Sequence, residues 1–519
     1  MSDVENTPTV IGINFGTYYS CISILNKEGR AEVIANEDGD RMIPSIVAFS
    51  GDEEFCGTPA KHQELRNSQN TISEFRNALG QELEQVQKLY AQTTTNVTEK
   101  EGHPAFEVNF KDAETKFTVK EITSKFFITL KQTAENYIGK TVDGVVMAVP
   151  SYYSEKQRDE LKEATEAAGL HMLQLIHEPS AAALAFNLGQ KASRKDADDK
   201  TVLVADLGGH NLDLTILAAR GGVYTILGSA QNHELGGKNF DETLVNHFAG
   251  EFKRKNNIDI SNNKRALNKL RAACEITKRT LSSSPSAPCS VESLAEGLDF
   301  HSNLNRMRFE MLSGKIFSQF LNDVEKILED NGLQASQIDE VLLVGGSTRV
   351  PKLQLKLRDV FPESTVIRTD VECDEAIAVG CALQAQLISS LGDDESHYQT
   401  YLTPEVTNVL HISKAIGLVH EKEFFPIVSA ATPLPLHRSV ELPTSVDDQT
   451  EVYVAIYEKE QSQDAEPTLL AELVLSELPA TKAGETKVEL MIQVDEAGKT
   501  QATLREKKSG KIAQVEITN

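Results

Sequence analysis

Residues 11–25 read IGINFGTYYSCISIL, and residues 203–217 read LVADLGGHNLDLTIL. Set side by side, Asn14 faces Asp206, Gly16 faces Gly208, and Ile24 and Leu25 face Ile216 and Leu217. Each segment is an apolar strand with a polar residue at its end, a turn containing glycine, and a returning strand of alternating character. Glycine lets such a turn adopt positive φ and bring backbone N–H groups close to an anion. A single hairpin of this kind is an ordinary turn. Two in register favour a duplicated α/β domain that holds a phosphate between two lobes, over the chance similarity of two hairpins.

The surrounding pattern agrees with that constraint. Apolar strand-like runs at 10–13, 21–25, 145–149, 202–205, 214–217 and 341–344 alternate with helical patterns at 118–137, 155–168, 241–255 and 263–281. That alternation predicts a layered α/β unit over residues 1–392. Residues 81–109 are polar with weak periodicity and read as a peripheral excursion or loop. Past residue 391 the chain turns polar and acidic (GDDESHYQ) and then Pro-interrupted, which marks 393–410 as a linker. From His411 the period becomes two: Val452, Val454 and Ile456 share one face, as do Val488, Leu490, Ile492 and Val494. Residues 411–519 therefore predict a small antiparallel sandwich. The sequence stops two residues past Ile517, so this reading places no helical appendage after it.

Composition narrows the function classes. Lys plus Arg is 52 and Asp plus Glu is 77, a net charge of −25. A general nucleic-acid binder needs positive charge to release phosphate counterions, so direct DNA binding is not expected. Lys253, Arg254, Lys255, Lys264, Arg265, Lys269 and Arg271 form a local basic stretch, read as a solvated helical face in preference to an RNA contact. No apolar run nears the roughly 18 residues of a membrane span. The start, MSDVENTPTV, lacks a signal-peptide pattern. Six cysteines without a CxxC pair fit free thiols and no zinc site. The expectation is a cytoplasmic protein without membrane contact.

Two further motifs fit a nucleotide cleft. The run VGGSTRVP at 344–351 follows the apolar VLLV and opens a helical pattern, which presents backbone amides to an anion. Glu275, Lys278, Arg279 and Ser282 fall at i, i+3, i+4 and i+7, hence on one helical face. Alone, such a stripe is usually a solvated charged face.

Several segments resemble the 70-kDa heat-shock protein chaperones: IANEDGDRMIPSIVAF (34–49), VVMAVPSYYSEKQR (145–158), LIHEPSAAALAF (175–186), ELGGKNFD (234–241), NKRALNKLRAACEITKRTLSSS (263–284) and LVGGSTRVPKLQ (343–354). The resemblance implies a two-lobed actin-like ATPase fold followed by a β-sandwich peptide-binding domain, here without its helical lid. It implies ATP as cofactor, with Mg2+. Gly16, Thr17, Tyr18 and Tyr19 would wrap the phosphates from one lobe, and Gly208, Gly209, His210 and Asn211 from the other. Glu275, Lys278, Arg279 and Ser282 would hold the adenosine, and Gly346, Ser347, Arg349 and Asp374 would close the adenine pocket. Glu178 and Asp206 match the acidic residues around magnesium and the attacking water, with Asp206 the metal ligand. Arg76 matches the catalytic lysine, and Pro150 and Arg158 match the interlobe switch.

The departures from the family pattern sit around the terminal phosphate. Asn14 stands where the family has Asp, His210 and Asn211 where it has Gly and Thr, Arg76 where it has Lys, and Tyr18 where it has a small hydroxyl residue. Magnesium prefers charged oxygen ligands, and a guanidinium fork cannot stand in for a compact ammonium. Losing one preorganised stabiliser of transition-state charge costs roughly 2.7–4 kcal/mol, or about 10²–10³ in rate. Several such changes predict weak or lost hydrolysis with binding retained. The linker stretch HYQTYLTPEVTNVL also lacks the family's Leu cluster.

This set of departures is similar to the atypical family branch found in the ribosome-associated complex. The resemblance implies a regulatory or structural co-chaperone in a stable heterodimer with a zuotin-type J-domain protein. Through that complex it would reach the ribosome, nascent chains and another heat-shock chaperone. The alternative is an ATP-hydrolysing foldase that binds and releases client peptides.

Overall fold

The structure is a computed structural model that describes residues 8–91, 93–188, 199–220, 223–390, 410–460, 465–495 and 497–517. The two echoing segments fold as antiparallel hairpins, Val10–Asn14 with Tyr19–Leu25 and Lys200–Leu207 with Leu212–Arg220. Each hairpin seeds a sheet of one design. In the first, Ala31–Ile34 extends the hairpin antiparallel on one side, while Gly144–Val149 and then Met172–His177 add in parallel on the other. In the second, Val223–Asn232 takes the antiparallel place, and Glu340–Val344 and Val366–Arg368 the parallel ones. The strand order is the same in both, so the echo marks the repeat of a whole sheet.

Parallel neighbours require crossover connections, which the helices provide. Val119–Ile138 leads into Gly144–Val149, and Glu155–Ala167 links it to Met172–His177. Both helices start on capping boxes, Thr118 with Glu121 and Ser154 with Gln157, which satisfy otherwise unpaired N–H groups. Helices on both faces bury the inner parallel strands. All residues of Gly144–Val149 and of Glu340–Val344 are buried, which is why these runs are apolar apart from Glu340, whose carboxylate is paired with Lys200 and Arg368.

Each sheet has its own core on its outer side. A third core joins them. There Val10, Val146 and Ala148 of the first sheet meet Val202, Val204, Leu342 and Val344 of the second, along with the helices Glu178–Ala185 and Ala376–Ser390. This shared core fixes the relative position of the two hairpin turns.

Residues 81–109 depart from the loop reading. They contain the helix Leu83–Leu89 and the strands Asn96–Lys100 and His103–Phe110, which pair with Ala113–Thr118 in a three-stranded sheet. Val86, Tyr90, Phe106 and Val108 enter the first core from this segment. Its outer face is polar and its strands turn tightly at Glu101 and Gly102, both at positive φ. The buried positions are too few and too scattered to print a period.

The β-rich part forms two four-stranded antiparallel sheets. One contains Ala415–His420, Glu423–Val428, Val452–Lys459 and Thr468–Leu475, and the other Leu436–Pro443, Lys487–Val494, Thr500–Glu506 and Ile512–Ile517. Val452, Val454 and Ile456 of the first sheet share a core with Val488, Leu490, Ile492 and Val494 of the second. Of the linker read at 393–410, residues 393–409 lie outside the described residues. Among the described residues no helix is long and apolar enough to cross a membrane. All six cysteines are free thiols. Four of the basic-stretch residues have partners: Lys253 pairs with Asp259, Lys255 with Glu251 and Arg271 with Glu242, while Lys269 meets the carbonyls of Glu292 and Ser293.

Candidate functional site

The hairpin turns face each other across a cleft of about 970 Å3. Its walls combine the turn Gly16–Tyr19, the turn Gly208–Asn211, the helix Lys264–Ser283 and the turn that begins at Gly345. The sequence-derived candidates for chemistry (Arg76, Glu178 and Asp206) and for nucleoside contact (Glu275, Lys278, Arg279, Ser282, Gly346, Ser347, Arg349 and Asp374) all line it.

At one end the cleft is closed by a cross-lobe polar cluster. The Tyr19 hydroxyl donates to Glu275 Oε1 at 2.6 Å, Lys61 Nζ lies 2.9 Å from Glu275 Oε2, and the Arg279 guanidinium sits 4.5 Å above the Tyr19 ring. Burial alone would raise the Glu275 carboxyl, but Lys61, the Tyr19 hydroxyl and Arg279 outweigh it and hold it at about 2. Lys278 Nζ is 2.7 Å from Asp241 Oδ2. Tyr19, read from sequence as a phosphate residue, has its side chain at this wall.

Gly345 explains the next turn. Its φ is +83°, and a Cβ there would lie 2.4 Å from Asp206 Oδ1, so only glycine fits without displacing that carboxylate. The following Ser347 hydroxyl donates to the Gly208 carbonyl at 2.9 Å, tying this turn to the facing hairpin. Arg349 reaches both Glu372 and Asp374 at 2.6 Å.

The opposite end holds the substituted residues. The Gly208 and Gly209 carbonyls accept from the N–H groups of Gly237 (3.0 Å) and Lys238 (2.8 Å), the first residues of the helix Gly237–Asn256. Asn211 Nδ2 donates to the Tyr152 hydroxyl at 3.2 Å. Arg76 is bonded to Glu178, its guanidinium 5.8 Å from the centre of the Tyr153 ring. Burial works against the Arg76 charge, but Glu178, Tyr153 and Tyr152 more than offset it. Arg158 Nε donates to the Tyr153 carbonyl at 3.2 Å, behind this pair.

Asp206 and Asp213 are directly opposed across the second hairpin. Burial first, and then the neighbouring Glu178, raises both carboxyls above their ordinary range. A cavity of about 10 Å3 beside them, on the scale of one water, is bounded by Pro150, Glu178, Asp206 and Asp213. Asp213 escapes a sequence reading because it occupies the polar position of an alternating strand. Its only mark is that it faces Cys21 in the echo. Lys61, Glu74 and Lys238 also line the cleft; Lys61 and Glu74 carry no motif of their own, and Lys238 lies in the segment ELGGKNFD without an assigned role.

Among the described residues there is no group of three or more His, Cys, Asp or Glu placed to hold a metal by themselves. Magnesium bound to phosphates keeps most of its waters and takes one or two carboxylates. Asp206 and Asp213 fit that role, and the buried Asp213 Oδ1 has no hydrogen-bond partner.

A family model described as Hsp70 protein matches residues 10–519. The ribosome-associated molecular chaperone SSB of Candida glabrata is 39% identical over 511 residues, 98% of this chain and 82% of that protein. A ribosome-associated molecular chaperone of the same SSB type from Saccharomyces cerevisiae is 38% identical with the same coverage. Heat shock 70 kDa protein 2 of Paracoccidioides lutzii is 36% identical, covering 98% of this chain and 76% of its own length. Members of the matched family bind ATP with Mg2+. With two equivalent sheets facing a common cleft and this extent of similarity, the chain belongs to the Hsp70 family.

Proposed function

We propose that this chain is an ATP-binding Hsp70-type chaperone with weak or no hydrolysis, acting as a regulatory co-chaperone in ribosome-associated folding of nascent chains. The observation that carries the reading is the bond between Arg76 and Glu178. Glu178 would polarise an attacking water only if its carboxylate were available, and here a buried guanidinium neutralises it. Asp206 would hold the magnesium, and Asn14 on the facing hairpin adds no second charged oxygen there. The nucleoside wall keeps its full set of side chains.

In this reading residues 1–392 bind the nucleotide, 393–410 link, and 411–519 form a β-sandwich that accepts a partner strand or client peptide by edge pairing. Similarity to ribosome-associated relatives supports a place at the ribosome in the cytosol. The proposed partner is a zuotin-type J-domain co-chaperone in a stable heterodimer, through which the chain assists another heat-shock chaperone. Purified protein, alone and with its copurifying partner, should bind ATP tightly and cleave a negligible fraction in a single-turnover assay. J-domain-stimulated turnover at a rate ordinary for the family would replace this reading with that of a cycling foldase.

A further inference from the structure

Tyr18, Glu74, His210 and Lys238 come from four separate segments and meet between the two phosphate turns. Tyr18 belongs to the first hairpin, and Glu74 immediately precedes Phe75 of the first core. His210 belongs to the second hairpin turn, and Lys238 to the helix packed behind it. The Tyr18 ring lies against Gly209, where an added Cβ would come within 2.1 Å of Tyr18 Cδ2. Any side chain at 209 would therefore force the ring away.

Glu74 is in the left-handed region, φ 58°, an unusual conformation for a residue with a Cβ. Its Oε2 is 3.1 Å from His210 Nδ1, and the Tyr18 hydroxyl interacts with the same carboxylate. Lys238 Nζ lies 3.0 and 2.9 Å from the two ring nitrogens of His210. Burial pushes the Glu74 carboxyl up, but His210, Lys238 and Tyr18 together bring it below its ordinary range. The group is charge-balanced within itself and spans both lobes.

We infer that these four side chains form a built-in clasp in which the Glu74 carboxylate takes the anionic place that a nucleotide's terminal phosphate would occupy. The inference rests on the proposed nucleotide cleft and deepens it. With Lys238 and His210 already satisfied, lobe closure does not depend on a third phosphate. A nucleoside diphosphate and a triphosphate then bind alike, each held by its nucleoside.

Calorimetric titration of the full chain with Mg-ADP and Mg-ATP should give dissociation constants within about threefold of each other. Glu74→Gln frees Lys238 and His210 for a phosphate and should shift the ratio toward ATP by about tenfold, as for one charge-assisted hydrogen bond. Tyr18→Thr should shift it the same way, and it serves as the second variant should Glu74→Gln fold poorly. A wild-type preference for ATP above tenfold, or an unchanged ratio in both variants, overturns the clasp.

Hydrogen exchange on the nucleotide-free chain provides an independent readout. The amides of residues 208–211 should exchange slowly in the wild type and faster in both variants; equal rates overturn the clasp. If neither nucleotide binds while this protection is still lost in the variants, the nucleotide reading fails and the clasp stands.

Discussion

Replacing Arg76 by Met would test the buried pair on which the proposed loss of hydrolysis depends. The Arg76 and Glu178 side chains are only 13% and 8% exposed. Removing one partner of a buried ion pair strands the other charge in a poorly solvated site, at a cost of about 3–5 kcal/mol, whereas replacing both by apolar groups is often close to neutral. Arg76→Met keeps the apolar stem and removes the charge. It should therefore destabilise the first half of the cleft by about 3–5 kcal/mol. Glu178 is also the first residue of the helix Glu178–Ala185, where a negative charge is worth about 0.3–1 kcal/mol. The double variant Arg76→Met/Glu178→Met should then fall only about 1 kcal/mol below wild type. A chain with several cores need not unfold in one step, so the readout should be local. Hydrogen exchange of the Gly144–Val149 amides under increasing urea reports the stability of the sheet that borders the pair. A loss below about 1 kcal/mol for Arg76→Met alone would show that Glu178 does not depend on the guanidinium, and the account of impaired hydrolysis would lose its basis.

Arg76→Lys preserves the charge and leaves the other substitutions in place, so single-turnover cleavage should stay negligible; recovery to the family's usual rate would show that Tyr18, His210 and Asn14 are harmless. Gly345→Ala must place a methyl 2.4 Å from Asp206 Oδ1 at φ +83°, so it should lower the melting temperature and abolish nucleotide binding in calorimetry, and unchanged affinity would count against the placement of that turn. Glu275 is held at about 2 in the folded chain against roughly 4.3 when unfolded. Its contribution to stability is therefore complete above the unfolded value and disappears as the pH falls toward 2, and a Glu275→Gln variant measured by urea denaturation from pH 6 to 3 should lack that part of the slope. A fragment spanning residues 410–519 contains the entire core shared by Val452, Val454, Ile456, Val488, Leu490 and Ile492, and it should show dispersed amide resonances by itself if the proposed domain boundary is right.

What the sequence discloses follows from how many residues have to cooperate. The duplicated sheet is readable because each copy imposes strand, turn and returning strand in a fixed order, and because the parallel strands are apolar on both faces. The helical face of Glu275, Lys278, Arg279 and Ser282 is readable because one period sets all four positions. The three-stranded sheet within 81–118 is not, since its burial comes from isolated residues such as Phe106 and Val108. Glu74, Lys61 and Lys238 are invisible for a different reason. Their roles come from the meeting of segments far apart in the chain, and no local pattern records that His210 and Glu74 end 3.1 Å apart. Tyr18 and His210 stand out as departures, but only the fold reveals that their rings come within 6.5 Å of each other.

The two ends of the cleft differ in what they can offer a nucleotide. At the nucleoside wall Lys61, Arg271, Lys278, Arg279 and Arg349 stand among Glu64, Asp241, Glu242, Glu275 and Asp374, a balanced set of charged contacts around a shaped pocket. At the phosphate end Arg76 is matched by Glu178 and Lys238 faces Glu74, while Asp206 and Asp213 add only acidic groups. Among the described residues, charge that develops on a transferring phosphoryl group would find no uncommitted cation there. Interactions made equally by ground and transition states lower the dissociation constant without speeding the chemical step. In the proposed function, a cleft with its side-chain contacts at the nucleoside wall and its phosphate-end cations already paired holds its ligand without cleaving it, and the nucleotide acts as a structural element between the lobes.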